Sequence, residues 1–289
     1  MRVSWFRVVM TLLYVLGFGA AAAAAWLGHE YYALPIQDRP RSELHGLFKP
    51  GGTVGHSLGV VGSAMLLLLF LYSARKRRKL GLRRGRLSRW LHVHIWFGIM
   101  GPVLITLHSS FKFHGIVSIS YFSMVAVMLS GFLGRYIYIQ VPRDEEGSAL
   151  PLQAIDAGIE AMRRRLATEH GLSPEVISRL DPGAAGSEAG MGRAVADALL
   201  GDLLRPVKAH RLRRLLRRTS PGLPAATIRE VARLAGRRAI LLRRRAALRR
   251  MNAVFHYWHV VHKPFAWVMI LIMIVHVTVV VAMGYTWVF

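Results

Sequence analysis

Cysteine is missing from this 289-residue chain. Its absence excludes disulfides, thiolate-held iron–sulfur clusters, cysteine-bound zinc and covalent c-type haem, whose attachment needs C-x-x-C-H. A metal or cofactor must therefore rely on histidine, methionine, carboxylates or packing. Acidic residues are scarce too: 15 Asp and Glu stand against 39 Lys and Arg, a formal net charge of +24. There is no G-x-G-x-x-G, no P-loop and no strand–helix alternation, so nothing suggests a flavin or nicotinamide domain. What the chain holds in quantity is apolar residues, 53% of the total. A soluble domain is rarely both so apolar and so charged. The two reconcile when the apolar residues form membrane spans and the basic ones form loops.

Five stretches reach the roughly 20 helical residues that cross a bilayer. They run from about Trp5 to Leu27, Thr53 to Tyr72, Leu91 to Phe111, Val117 to Ile139 and Pro264 to Tyr285. The first has the outline of a signal peptide, with Arg2 and Arg7 before an apolar run ending in Ala20 to Ala25. It reads better as an uncleaved anchor. Between the second and third spans, "ARKRRKLGLRRGRLSRW" carries nine basic residues and no acidic one. Basic loops stay on the cytoplasmic side, which puts the N-terminus inside and the C-terminus outside, as in a bacterial inner membrane protein. These runs suit membrane lipid phosphates; without aromatic interleaving or a binding motif they give no sign of nucleic acid.

The expected fold is all-α, an integral membrane bundle of about five transmembrane helices with a helical cytoplasmic insertion. Residues 1–142 hold the first four spans, 143–255 an arginine-rich segment and 256–289 the fifth span. In the insertion, "LQAIDAGIEAMRRRLATEHGL" and "ATIREVARLAGRRAILLRRRAALRR" show helical three-and-four spacing. "DPGAAGSEAGMG" reads as a flexible connection between them. Arg243, Arg244, Arg245, Arg249 and Arg250 suit a helix lying along an anionic leaflet.

Thirteen histidines are separated by position. His29, His45, His170 and His210 fall outside the spans and read as surface residues. The others lie in or beside spans, where an ionisable side chain is costly and a functional role is the default. His94 and His108 in "HIWFGIMGPVLITLH" are 14 positions apart, as are His262 and His276 in "HKPFAWVMILIMIVH". Fourteen steps of about 100° complete four turns less about 40°, so each pair shares a face and spans about 21 Å. Both helices run from inside to outside. His94 is then level with His262 near the cytoplasm, and His108 with His276 outside.

Two imidazoles per level suit two six-coordinate b-type haems, held without a covalent bond. Gly98 and Gly101 would let a porphyrin approach the third span, and Pro102 would kink it. His94 is preferred to His92, which lies about 160° round the helix from His108. His262 is preferred to His259, which would lie nearer the water. His92, His256 and His259 remain candidates for quinone binding or proton transfer. His56 is open to three readings: a partner of a ligand, a quinone contact, or a ligand of a third haem. His114 is interfacial. The haem propionates need cations, for which Arg86, Arg89, Arg135 and Lys263 are available inside and Lys112 outside. Arg135 either snorkels to the inner surface or binds a propionate.

With these four histidines the chain resembles the membrane di-haem b-type cytochromes, in particular the ferric-reductase-like transmembrane group that includes the membrane halves of NADPH oxidases. There the third and fifth spans carry paired histidines at nearly this spacing. Cytochrome b of quinol-oxidising complexes uses a similar spacing on other helices. The chain departs from the oxidase pattern in lacking a sixth span and a flavin or nicotinamide domain after the fifth. The resemblance implies transmembrane electron transfer, with quinol or a cytoplasmic donor such as a flavoprotein on one side. A c-type cytochrome or other redox subunit would serve the other. Reaction at iron is not expected, because both axial positions are filled. Two rivals remain: the membrane subunit of a terminal ferric or oxygen reductase, and a non-redox anchor whose basic segment recruits a partner.

Overall fold

The computed structural model describes residues 5–77, 81, 85–142, 150–179, 204–219 and 224–284. The expected connection "DPGAAGSEAGMG", much of the basic loop after the second span and the last residue of the fifth lie outside them. Among the described residues all regular structure is helical, and five helices are long and apolar enough to cross a membrane. The chain is an all-α integral membrane protein.

The helices run α1 (Trp5–Leu27), α2 (His29–Ala33), α3 (His45–Phe48), α4 (Thr53–Lys76), α5 (Leu87–His108), α6 (Ile116–Gln140), α7 (Leu152–Thr168), α8 (Pro174–Arg179), α9 (Arg205–Thr219) and α10 (Ala225–Ala282). A single 3-10 turn, Arg39–Arg41, lies between α2 and α3. The fifth span is thus part of one 58-residue helix, about 87 Å long at 1.5 Å per residue. The sequence reading began that span near Pro264, yet the helix runs through it. From Ala225 onward, alanine, leucine and arginine are strong helix formers, and no cap or glycine pair interrupts them before Pro264.

Two compact units result. One comprises Met1–Leu133 with His259–Phe289, the other Gly134–Trp258. The division falls inside α6 and α10, rather than at residues 142 and 255, because both helices continue beyond their apolar stretches.

In the first unit, α4 and α5 pack closely. Gly55, Gly59, Gly62 and Leu66 fall on the buried face of α4, at spacings of four, three and four that keep one stripe. Lipid tails are as apolar as leucine, so helices associate in membranes through close van der Waals packing, and small residues permit it. At Gly62 a β-carbon would meet the Ile105 side chain at 2.9 Å. A second cluster, Leu66, Met124, Met269, Ile270 and Met273, joins α4, α6 and α10. The Ser120 hydroxyl reinforces it by donating to the Met269 carbonyl at 2.8 Å. On the other flank, Ala21 of α1 packs with Met100, Leu104 and Leu107 of α5. Much of α1 stays open to its surroundings, with Trp5 78% and Trp26 74% exposed. Tryptophan near span ends is the usual interfacial anchor.

The second unit has its own core, built from Leu166, Leu172, Ile177, Leu216, Ile228, Val231 and neighbours. Gly171 ends the α7 turn at φ +61°, a left-handed conformation that favours glycine. It allows the Leu172 N–H to close on the Leu166 carbonyl. Outside this core, Arg163 pairs with Glu160, Arg165 with Glu169 and Arg245 with Asp156.

Candidate functional site

His94 and His108 sit near opposite ends of α5, each half-buried, while His92 is exposed. From His262 onward, the buried or half-buried positions of α10 are His262, Ala266, Met269, Ile270, Ile272, Met273, His276 and Val280. That is one helical stripe, with a histidine toward each end. His262 lies within electrostatic range of His94, and His108 within range of His276. Leu66, Ile105, Met269 and Met273 belong to the apolar layer around the middle of these helices. Toward each end of the stripe, a histidine of α10 thus comes within electrostatic range of one on α5. Among the described residues no three His, Asp or Glu side chains gather into a metal cage. A structural zinc site normally takes four protein ligands and a catalytic one three, more than the two imidazoles toward each end supply.

Ring hydrogen bonds orient three of the four. His94 Nδ1 donates to the Leu69 carbonyl at 3.2 Å, and the Tyr72 ring lies 5.0 Å from the imidazole. His108 Nδ1 donates to the Gly55 carbonyl at 2.8 Å. His262 Nδ1 lies 2.7 Å from Ser130 Oγ, and that hydroxyl directs its one proton to the Val127 carbonyl at 2.9 Å. The serine oxygen consequently accepts from His262. In each case Nδ1 carries the proton, leaving Nε2 with its lone pair. Metal-bound histidines nearly always donate the other ring N–H to a carbonyl or similar acceptor, which sets tautomer and ring orientation. Among the described residues no ring hydrogen bond orients His276 in this way.

The α4 glycines make the His108 contact possible. A β-carbon on Gly59 would meet His108 Nδ1 at 2.5 Å, so only glycine lets the ring reach the α4 backbone. The sequence reading assigned Gly98 and Gly101 to a porphyrin's approach. Instead, Gly101 faces Leu66, 3.0 Å from where its β-carbon would stand, and belongs to the α4–α5 seam.

Beyond His108 the chain makes a tight turn. Ser110 and Phe111 take φ of 48° and 58°, a left-handed pair without glycine that costs about 1–3 kcal/mol per residue. Buried Arg39 answers it, donating to the Ser110 carbonyl at 2.5 Å, Tyr32 at 2.8 Å and Leu34 at 3.0 Å. Ser110 Oγ donates to the Phe48 carbonyl at 2.7 Å. Residues 28–52 thereby close over the end of α5. His45 is half-buried in this cap and bonded to Tyr31 at 3.1 Å, so it is not the surface histidine the sequence suggested.

Of the remaining candidates, His56 lies within electrostatic range of His108, and His259 of His262. Lys112 is half-buried just after the α5 turn, while Lys263 and His114 are exposed. Arg135 and His256 belong to the other unit, where the Arg135 guanidinium sits 5.6 Å over the Tyr138 ring. Sequence reasoning missed Ser130, Leu69, Gly55 and Gly59 as orienting partners, and Arg39 altogether. The glycine stripe was visible as a pattern, but nothing in a sequence pairs Ser130 with a residue 132 positions later.

Fold and site define the class: an integral membrane helical bundle with half-buried histidines of α5 and α10 within electrostatic range of each other toward each end. Comparisons with family models, characterised proteins and solved structures found no match, so the functional reading rests on these side chains.

Proposed function

We propose that this chain transfers electrons across a membrane, and that His94 and His262 would hold one b-type haem and His108 and His276 a second. The observation that carries the reading is the shared tautomer of His94, His108 and His262, each with Nδ1–H donated and Nε2 available, and each within electrostatic range of a histidine on the other helix. When bound, haem would supply a reversible one-electron iron couple.

The protein's own groups have distinct tasks. Leu69, Gly55 and Ser130 accept the Nδ1 protons and orient the rings. The methionine- and leucine-rich layer excludes water between the levels. Lys112 and Lys263 are the proposed cations for propionates at the His108 and His262 ends, and His56 a neighbour of the His108 level. The basic loops argue for a cytoplasmic N-terminus, with quinol as membrane donor and a c-type cytochrome or similar redox subunit as acceptor.

The test is a reduced-minus-oxidised spectrum of purified full-length protein, with a pyridine haemochrome assay for stoichiometry. Two b-type haems per chain are expected, reducible by a quinol analogue. Protein that stays haem-free when expressed with ample haem supply would falsify the reading.

A further inference from the structure

We propose that Arg39 is a positioning residue for His108, holding the end of α5 so that the His108 ring stays on the Gly55 carbonyl with Nε2 free. Its extension to haem ligation rests on the function proposed above; the effect on the ring does not.

Arg39 is 4% exposed, while nearby Gln37, Pro40 and Arg41 are exposed. Its Nε, Nη1 and Nη2 each donate to a different backbone carbonyl, and the guanidinium stands 5.4 Å over the Tyr31 ring. Two of those carbonyls, of Tyr32 and Leu34, belong to the cap; the third, of Ser110, lies two residues past His108. Ser110 is fully buried and left-handed. Its hydroxyl donates to the Phe48 carbonyl. The neighbour of Phe48, Lys49, has its carbonyl packed against Gly55, and Gly55 accepts the His108 proton. One short path thus runs from Arg39 through Ser110 to the helix end, and another returns through Phe48 and Lys49 to the acceptor. A guanidinium suits this junction because its planar fork reaches several acceptors in fixed directions. Lysine carries the same charge on a flexible stem without the fork. His94, near the other end of α5, bonds to the Leu69 carbonyl directly, with no such clamp among the described residues.

The test uses full-length protein with 15N-labelled histidine rings, first without haem. The His108 signal is assigned by its loss in His108→Asn. Wild type should show His108 protonated on Nδ1. Arg39→Gln should convert it to a mixture of tautomers while the His94 signal holds. Arg41→Gln, which removes an equal charge from the same segment at an 86% exposed side chain, should match wild type. With haem bound, Arg39→Gln should shift the low-spin resonance and midpoint potential of one haem only.

If Arg39→Gln does not accumulate folded, Arg39→Lys carries the same readouts with smaller shifts. The inference is overturned if the His108 signal of the folded variant superimposes on wild type, or if His94 and His108 change equally. A wild type that takes up no haem defeats the proposed function, and the haem-free histidine spectra still decide the role of Arg39.

Discussion

The His108 ring lies against Gly59 so closely that a β-carbon there would meet Nδ1 at 2.5 Å. The neighbour that must give way is an aromatic ring already bonded to the Gly55 carbonyl, not the loose end of a flexible chain. Gly59→Ala should therefore displace the imidazole and destabilise the fold by about 1–3 kcal/mol, the usual cost of overpacking. Haem bound at the His108 level should fall while the His94 level keeps its share. Gly131→Ala, where an added methyl meets nothing within 4 Å, should leave both unchanged. Haem stoichiometry and denaturant midpoints measure the difference, and equal behaviour of the two variants would refute the contact.

Ligand substitutions should separate the levels. His108→Ala or His276→Ala should remove about half of the haem, given two bis-histidine sites per chain, and leave the remaining spectrum that of the other site. His94→Ala or His262→Ala should do the reverse. Exposed His92, bonded to the Ser88 carbonyl of its own helix, should be replaceable by alanine without loss. Equal loss of both haems from any single ligand variant would argue against independent levels.

Ser130→Ala deletes the acceptor of the His262 proton. Interhelical hydrogen bonds in membranes are worth about 0.6 kcal/mol on average and up to about 1.7, so the fold should survive. What should change is the His262 ring: its tautomer becomes mixed, and the midpoint potential of that haem moves. Ser130→Thr keeps the hydroxyl and should restore both. Redox titration with histidine-ring NMR would decide it; an unmoved potential and tautomer in Ser130→Ala would mean the serine does not orient the ligand.

In the second unit, the Arg245 hydrogen bonds hold the Asp156 carboxyl below its ordinary value of 3.8. A carboxylate depressed in the folded state stabilises the fold above its unfolded pKa, and that stability is lost as pH falls through the folded value. Asp156 therefore contributes a constant amount between about pH 5 and 8 and loses it only in acid below its ordinary value. Because both side chains are exposed, the contribution is small and screened by salt. Thermal unfolding of wild type and Asp156→Asn should differ slightly at neutral pH in low salt and converge in strong acid. A gap that widens on acidification would contradict this sign.

The sequence alone determined the membrane class and the helix faces. Apolar runs of spanning length allow little but helices in hydrocarbon, where every backbone group must be satisfied within the segment. The helical period then puts His94 and His108, or His262 and His276, on one face without reference to anything else. The absence of cysteine narrowed the ligand chemistry equally directly. Helix ends were less legible: Pro264 looked like a boundary, but the formers on either side carried α10 past it.

Only the tertiary structure decided which atoms face those histidines. Leu69, Gly55 and Ser130 lie 25, 53 and 132 positions from the rings they orient, and no local periodicity relates such positions. The clamp of Arg39 on Ser110 spans 71 positions and joins a loop to a helix end, where sequence carries the weakest pattern. Periodicity describes a helix by itself. Partners depend on how helices pack, and here that packing turned on whether glycine or a larger residue stood at a few crossing points.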